Sequence, residues 1–149
     1  MDEDFHPALF STPEAVEQTW YDALERGDAA AAMACWSDED DVVCIHPNGP
    51  RLVGIEAIRN SYAEILSQGA LTIRPVRRHT QQNMMVAVHS IVEELPLRHP
   101  RTGAPLRVFA TNIYFKTPSG WRLVLHHGSP NDEPGSDVPM PAHRPQMLH

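Results

Sequence analysis

The sequence is short of cysteine, of lysine and of long apolar runs, and each shortage removes a class of protein. Two cysteines in 149 residues, Cys35 and Cys44, cannot form a disulfide framework, so a reducing cytoplasm is the expected compartment. Apolar runs such as 84–88 are a few residues long, against the roughly 20 that a bilayer-spanning helix needs, so no membrane is expected as a partner. The first residues, Met1 to Pro7, are acidic and carry no basic region followed by an apolar stretch, the pattern of a secretory signal. Positive charge is also scarce. Twelve Lys plus Arg face nineteen Asp plus Glu, a formal charge of −7, which is the wrong sign for holding a phosphate backbone and argues against nucleic acid. Lys116 is the only lysine, which leaves almost no candidate for Schiff-base chemistry.

What is present fits one globular domain. The mass is 16.7 kDa and 42% of residues are hydrophobic. Charge is uneven: residues 1–50 hold twelve acids and one base, Arg26, and the remainder holds seven acids and eleven bases. An acidic helical region beside a more basic sheet is expected. Ser11-Thr12-Pro13-Glu14 reads as a helix start, with Ser11 as the cap and Glu14 closing a capping box. Val16, Trp20, Ala23 and Leu24 follow at helical spacing, and Gly27 can end the helix. Asp28 then caps a short helix over 29–36. Val42 to His46 is a β-type run that places Val42, Cys44 and His46 on one face, stopped by Pro47-Asn48-Gly49-Pro50. A third helix carries Ile55, Ile58, Tyr62, Ile65 and Leu66 as its apolar stripe.

From Leu71 the pattern becomes alternating and β-branched over 71–80, 84–97, 106–116 and 121–129, which predicts an antiparallel meander. Helices first and strands after give an α+β fold class. The expected organisation is an arm over 1–10, a domain over 11–129, and a tail over 130–149. The tail holds five of the fourteen prolines, and no regular structure is expected there.

Several strings, in their order and spacing, resemble the nuclear transport factor 2-like superfamily, especially its SnoaL-like and ketosteroid-isomerase-like members. They are 24–28 (Leu-Glu-Arg-Gly-Asp), Cys35-Trp36, 42–47, 54–59 (Gly-Ile-Glu-Ala-Ile-Arg), 112–115 (Asn-Ile-Tyr-Phe) and 120–127, ending in His126-His127. The closing segment is also similar to the association domain of calcium/calmodulin-dependent kinase II, with Trp121, Val124 and His127 at similar positions. The resemblance implies a cone: a curved antiparallel sheet wrapped around the first long helix, enclosing an apolar pocket and pairing into a homodimer through the sheet. In ketosteroid isomerases a comparable strand ends in Asp-Pro, where the Asp moves a proton between carbons. The matching residue here is His46. The family's oxyanion donors would fall at Trp20 or Tyr21 and near Thr111, where no Asp stands.

An imidazole titrates near ~6.5, so His46 is the candidate catalytic residue, able to act as acid or base near neutrality. His126 and His127 are neighbours on a strand and must point to opposite faces. Strict alternation groups His127 with Trp121, Leu123 and Leu125, which predicts His127 in the pocket and His126 outside. Asn112, Tyr21, Trp20 and Cys44 complete the expected ligand contacts. Trp20 fits the helix stripe and turns its neighbour Tyr21 away, while Asn112 lies on a strand apolar on both faces. Cys44, His46 and His127 are acceptable zinc ligands, but no local spacing joins them, so no metal and no cofactor is expected. The function expected is binding of a small apolar or amphipathic ligand, with proton transfer of the isomerase or dehydratase kind at His46. The alternative is a non-catalytic association module working through the outer sheet face.

Overall fold

The computed structural model describes residues 10–131 and Asp137. Apart from Phe10, Pro130, Asn131 and Asp137, the expected arm and tail lie outside the described residues. The first helix, α1 (Pro13–Arg26), starts one residue later than the capping pattern suggests. Thr12 is extended (φ −141°, ψ 154°) and its hydroxyl accepts the Ala15 N–H at 3.1 Å. The cause is Pro13: a residue before proline is disfavoured in the helical region, so Thr12 must be the cap, and Ser11 and Glu14 no longer form a box. Gly27 (φ 72°) closes α1 in the left-handed conformation that glycine adopts freely. Asp28 at once caps α2 (Ala29–Met33) by accepting the Ala31 N–H at 3.0 Å.

The strand β1 (Val43–Ile45) is followed by β2 (Arg51–Val53), then by the helix α3 (Ile55–Ser67). β2 was not apparent from the sequence because it has no buried face to mark it: Arg51 and Val53 are exposed and Leu52 is only half-buried. The remaining strands, β3 (Arg74–Gln82), β4 (Val86–Arg98), β5 (Pro105–Thr117) and β6 (Gly120–Pro130), form the antiparallel meander read from the pattern. One six-stranded sheet results, in the order β2-β1-β6-β5-β4-β3, with β1 parallel to β6 and every other pair antiparallel. No helix of the described residues is long and apolar enough to cross a membrane.

The concave face of the sheet packs on α1. Trp20 is fully buried and meets Trp36, Tyr62 and His126 edge-to-face. The sheet covers more of α1 than the apolar stripe alone: Glu17 and Tyr21 are buried beside Val16, Trp20, Ala23 and Leu24. Tyr21 therefore points inward, contrary to the helical-stripe reading.

A β-bulge in β6 sets which residues face the core. Ile113 of β5 pairs with Leu125, but the next residue, Tyr114, pairs with Leu123, leaving Val124 with no partner of its own. One extra residue inverts the alternation beyond it. Trp121 and Leu123 face inward before the bulge; after it His126 and Gly128 do, and His127 is exposed. The expectation that His127 lines the pocket is thus reversed, because strict period two holds only in an unbroken strand.

The cap assignment predicts a contrast between neighbours. Thr12→Ala should cost about 1 kcal/mol of stability in denaturant unfolding, whereas Ser11→Ala should stay within about 0.5 kcal/mol of the wild type.

Candidate functional site

Three polar residues stand in a row across the inner face of the sheet: His89 on β4, Asn112 on β5 and His126 on β6, each paired directly with the next. All three are buried. Helix α1 answers this row with Glu17 and Tyr21, one turn apart on the same face. Glu17 is wholly buried, and its carboxylate accepts from Arg78 Nε at 2.5 Å, His89 Nδ1 at 2.7 Å, Tyr114 Oη at 2.5 Å and Asn112 Nδ2 at 3.4 Å. Burial alone would raise its pKa. The hydrogen bonds from His89 and Tyr114 and the electrostatic pull of His89 and Arg78 outweigh it and hold the carboxyl below its ordinary value.

From Glu17 the network runs to a cavity. Asn112 Nδ2 also donates to Tyr21 Oη at 3.2 Å, and Tyr21 donates in turn to Glu93 Oε2 at 2.5 Å. Asn112 Oδ1 lies 2.6 Å from His126 Nδ1. Glu93 and His126 both line a cavity of about 250 Å³ whose other walls are mainly Trp20, Leu24, Tyr62, Leu71, Ile73, Leu95, Leu106 and Val108. His46, Pro47, Arg107, Pro130 and Asn131 complete the lining. Helix α3 positions His46: its Nε2 is 2.9 Å from Ser61 Oγ and its ring meets Tyr62 edge-on. A larger groove, about 880 Å³, runs over α2, α3 and the β5–β6 turn, but it is open and holds none of this network. The smaller cavity is the candidate site, because its polar groups are few and convergent.

Desolvation tunes these groups. Burial raises the Glu93 pKa to about 7; the nearby Glu17 charge adds to this and the Tyr21 hydrogen bond works against it. A carboxyl that exchanges its proton near neutrality is suited to acid and base work alike. Burial likewise lowers His126 to about 3, with His46 and His127 adding to the shift and Glu17 opposing it, so this imidazole is neutral in the folded protein. Burial also lowers His46.

Of the residues expected from the sequence, His46 and Trp20 reach the cavity wall, whereas Asn112 and Tyr21 sit one layer behind it, joined to it through His126 and Glu93. His127 points to the other face. Cys44 lies behind Tyr62, 3.6 Å from its hydroxyl, and does not line the cavity; burial pushes its thiol up to about 11, which disfavours the reactive thiolate near neutrality. Glu17, Glu93, His89 and His126 were not anticipated. Glu93 had a signal: it falls in the inward series Ala87, His89, Ile91, Glu93, Leu95, where an acid among apolar residues marks a buried carboxyl. Among the described residues no group of His, Cys, Asp and Glu is arranged to hold a metal ion.

The SnoaL-like domain family matches residues 14–133, most of the chain. The chain belongs to the SnoaL-like family. Solved structures agree on the fold. A candidate association domain of calcium/calmodulin-dependent protein kinase type II from Thiobacillus denitrificans is 32% identical, over 83% of this chain and 98% of that one, with a TM-score of 0.74. A candidate dehydratase of the nuclear transport factor 2-like family from Streptomyces avermitilis is 27% identical, over 80% and 94%, with a TM-score of 0.69. A candidate ketosteroid isomerase from Parabacteroides distasonis shares the fold at 20% identity, over 82% and 89%, with a TM-score of 0.64. Among the curated proteins none matches. This SnoaL-like chain is thus α+β, with a curved sheet and N-terminal helices, as expected.

The Glu93 carboxyl yields a prediction of sign. Its pKa is higher folded than unfolded, so folding takes up a proton between about 4.5 and 7, and its contribution to stability is lost as pH rises through that window. Glu93→Gln should therefore gain on the wild type as pH rises from 5 to 8, by on the order of 3 kcal/mol at most. Denaturant unfolding at both pH values measures the difference, and a constant difference would contradict the burial argument.

Proposed function

We propose that this SnoaL-like protein binds a compact, largely apolar molecule in the inner cavity and transfers a proton on it. The reaction class is the isomerase or dehydratase kind, in which a C–H beside a carbonyl loses its proton. The observation that carries this reading is Glu93: a carboxyl in an apolar wall, held by Tyr21, with its pKa near neutrality. As carboxylate it removes the proton, and as carboxylic acid it returns one. His46, at the rim with Ser61, is the second proton carrier proposed. The Thiobacillus and Streptomyces relatives leave both an association role and a dehydratase role open, and the buried titrating carboxyl favours chemistry over association.

The partner proposed for the chain itself is a second copy, across the outer sheet face. Val88 pairs with Ile113, Ile113 with Leu125 and Leu125 with Val43, giving an apolar band across four strands that is half-buried in the single chain. Bands of this kind are the usual material of subunit contacts.

Two measurements test these readings. Exchange of the α-protons of 1-indanone in deuterated buffer should be accelerated by the protein, and Glu93→Gln should lower that acceleration by about 100-fold or more, with a smaller loss for His46→Ala. Acceleration equal in wild type and Glu93→Gln would refute the role of Glu93. Light scattering at tens of micromolar should give a dimer mass that Ile113→Glu reduces to the monomer, and a monomeric wild type would refute the interface.

A further inference from the structure

The buried charge of Glu17 determines what the cavity can recognise at its His126 corner. A carboxylate only accepts hydrogen bonds, so the Asn112 atom facing Glu17 must be the amide nitrogen. The same nitrogen donates to Tyr21, whose own proton goes to Glu93. The Asn112 carbonyl oxygen is therefore the atom that faces His126, 2.6 Å from Nδ1, and Nδ1 must carry the imidazole proton. With one proton on a neutral ring, Nε2 is left with a lone pair. His126 lines the cavity, and among the described residues Nε2 has no hydrogen-bond partner.

We propose that Asn112 is a positioning residue that fixes His126 Nε2 as a hydrogen-bond acceptor, and that the cavity accordingly selects ligands bearing a hydroxyl at that corner over matched ketones and ethers. This rests on the cavity being the ligand site and adds the class of ligand it takes: a compact apolar hydroxy-carbonyl compound, for which a simple alcohol is an unreactive analogue. Satisfaction of buried polar atoms decides the preference. A carbonyl or ether oxygen placed at Nε2 sets two lone pairs against each other and leaves both acceptors without a donor inside an apolar wall, whereas a hydroxyl satisfies its proton and the nitrogen together. Neither Glu17 nor Asn112 touches the ligand. They act through the tautomer of a third residue, as outer hydrogen-bond partners commonly orient a histidine.

Two experiments test the inference. In the ligand-free protein at pH 7, long-range proton–nitrogen correlation of labelled histidine should show His126 with Nδ1 protonated and Nε2 bare, and Asn112→Leu should weaken that preference. Protonated Nε2 in the wild type would overturn the proposal without reference to any ligand. Calorimetric titration with 1-indanol, 1-indanone and 1-methoxyindane should favour the alcohol by about fivefold over the other two, and His126→Phe should abolish the preference while still binding all three. Equal or tighter binding of the ketone by the wild type overturns the hydroxyl preference alone. Absence of binding by all three overturns the ligand-site reading beneath it.

Discussion

A carboxylate taken wholly out of water is the constraint around which this domain is arranged. Glu17 sits on the buried face of α1, and an unpaired charge there would cost several kcal/mol. Its partners come from three successive strands: Arg78 from β3, His89 from β4, Asn112 and Tyr114 from β5. Each fixes how its strand sits over the helix, so the ion is a clamp between α1 and the meander as well as a polar centre. The clamp reaches further through Asn112 and Tyr21 to His126 and Glu93. The cavity thus inherits its polarity from a charge that never meets solvent.

The same low-dielectric setting works in opposite directions on neighbouring acids. Glu17 has four donors and stays ionised below its ordinary pKa, whereas Glu93 has one donor, Tyr21, and feels the Glu17 charge besides, so it keeps its proton up to about 7. Two carboxyls in one core are thereby given different states: one holds a charge among its donors and the other keeps its proton up to about 7 at the cavity wall. The fold is shared by proteins with different described roles, so it is this pair of environments, more than the fold, that argues for chemistry.

Much of the architecture was legible because it rests on local rules. The α1 stripe, the Gly27-Asp28 junction, the α3 stripe and the four-strand meander follow from periodicity and turn residues, which do not depend on distant partners. Of the cavity, Trp20 and His46 were legible, one from helical spacing and the other from its place before Pro47. What stayed hidden depends on tertiary detail. Val124 has no property that marks it as a bulge, yet it exchanges the faces of His126 and His127. The burial of Glu17 and Tyr21 depends on how far the sheet curls over α1, which no helical stripe states. Asn112 could be placed on a face only once Val108, Ala110 and Tyr114 were seen inside with it. Glu93 was the most readable omission, since alternation with Ile91 and Leu95 already put it inward.

The central claim is that burial beside Glu17 brings the Glu93 carboxyl into the neutral range inside the cavity. Carbon-13 NMR of the side-chain carboxyl, assigned by comparison with Glu93→Gln, follows this proton directly as pH is varied. A titration midpoint near 7 is the predicted result. A midpoint near 4.5, the value of an ordinary glutamate, would contradict it.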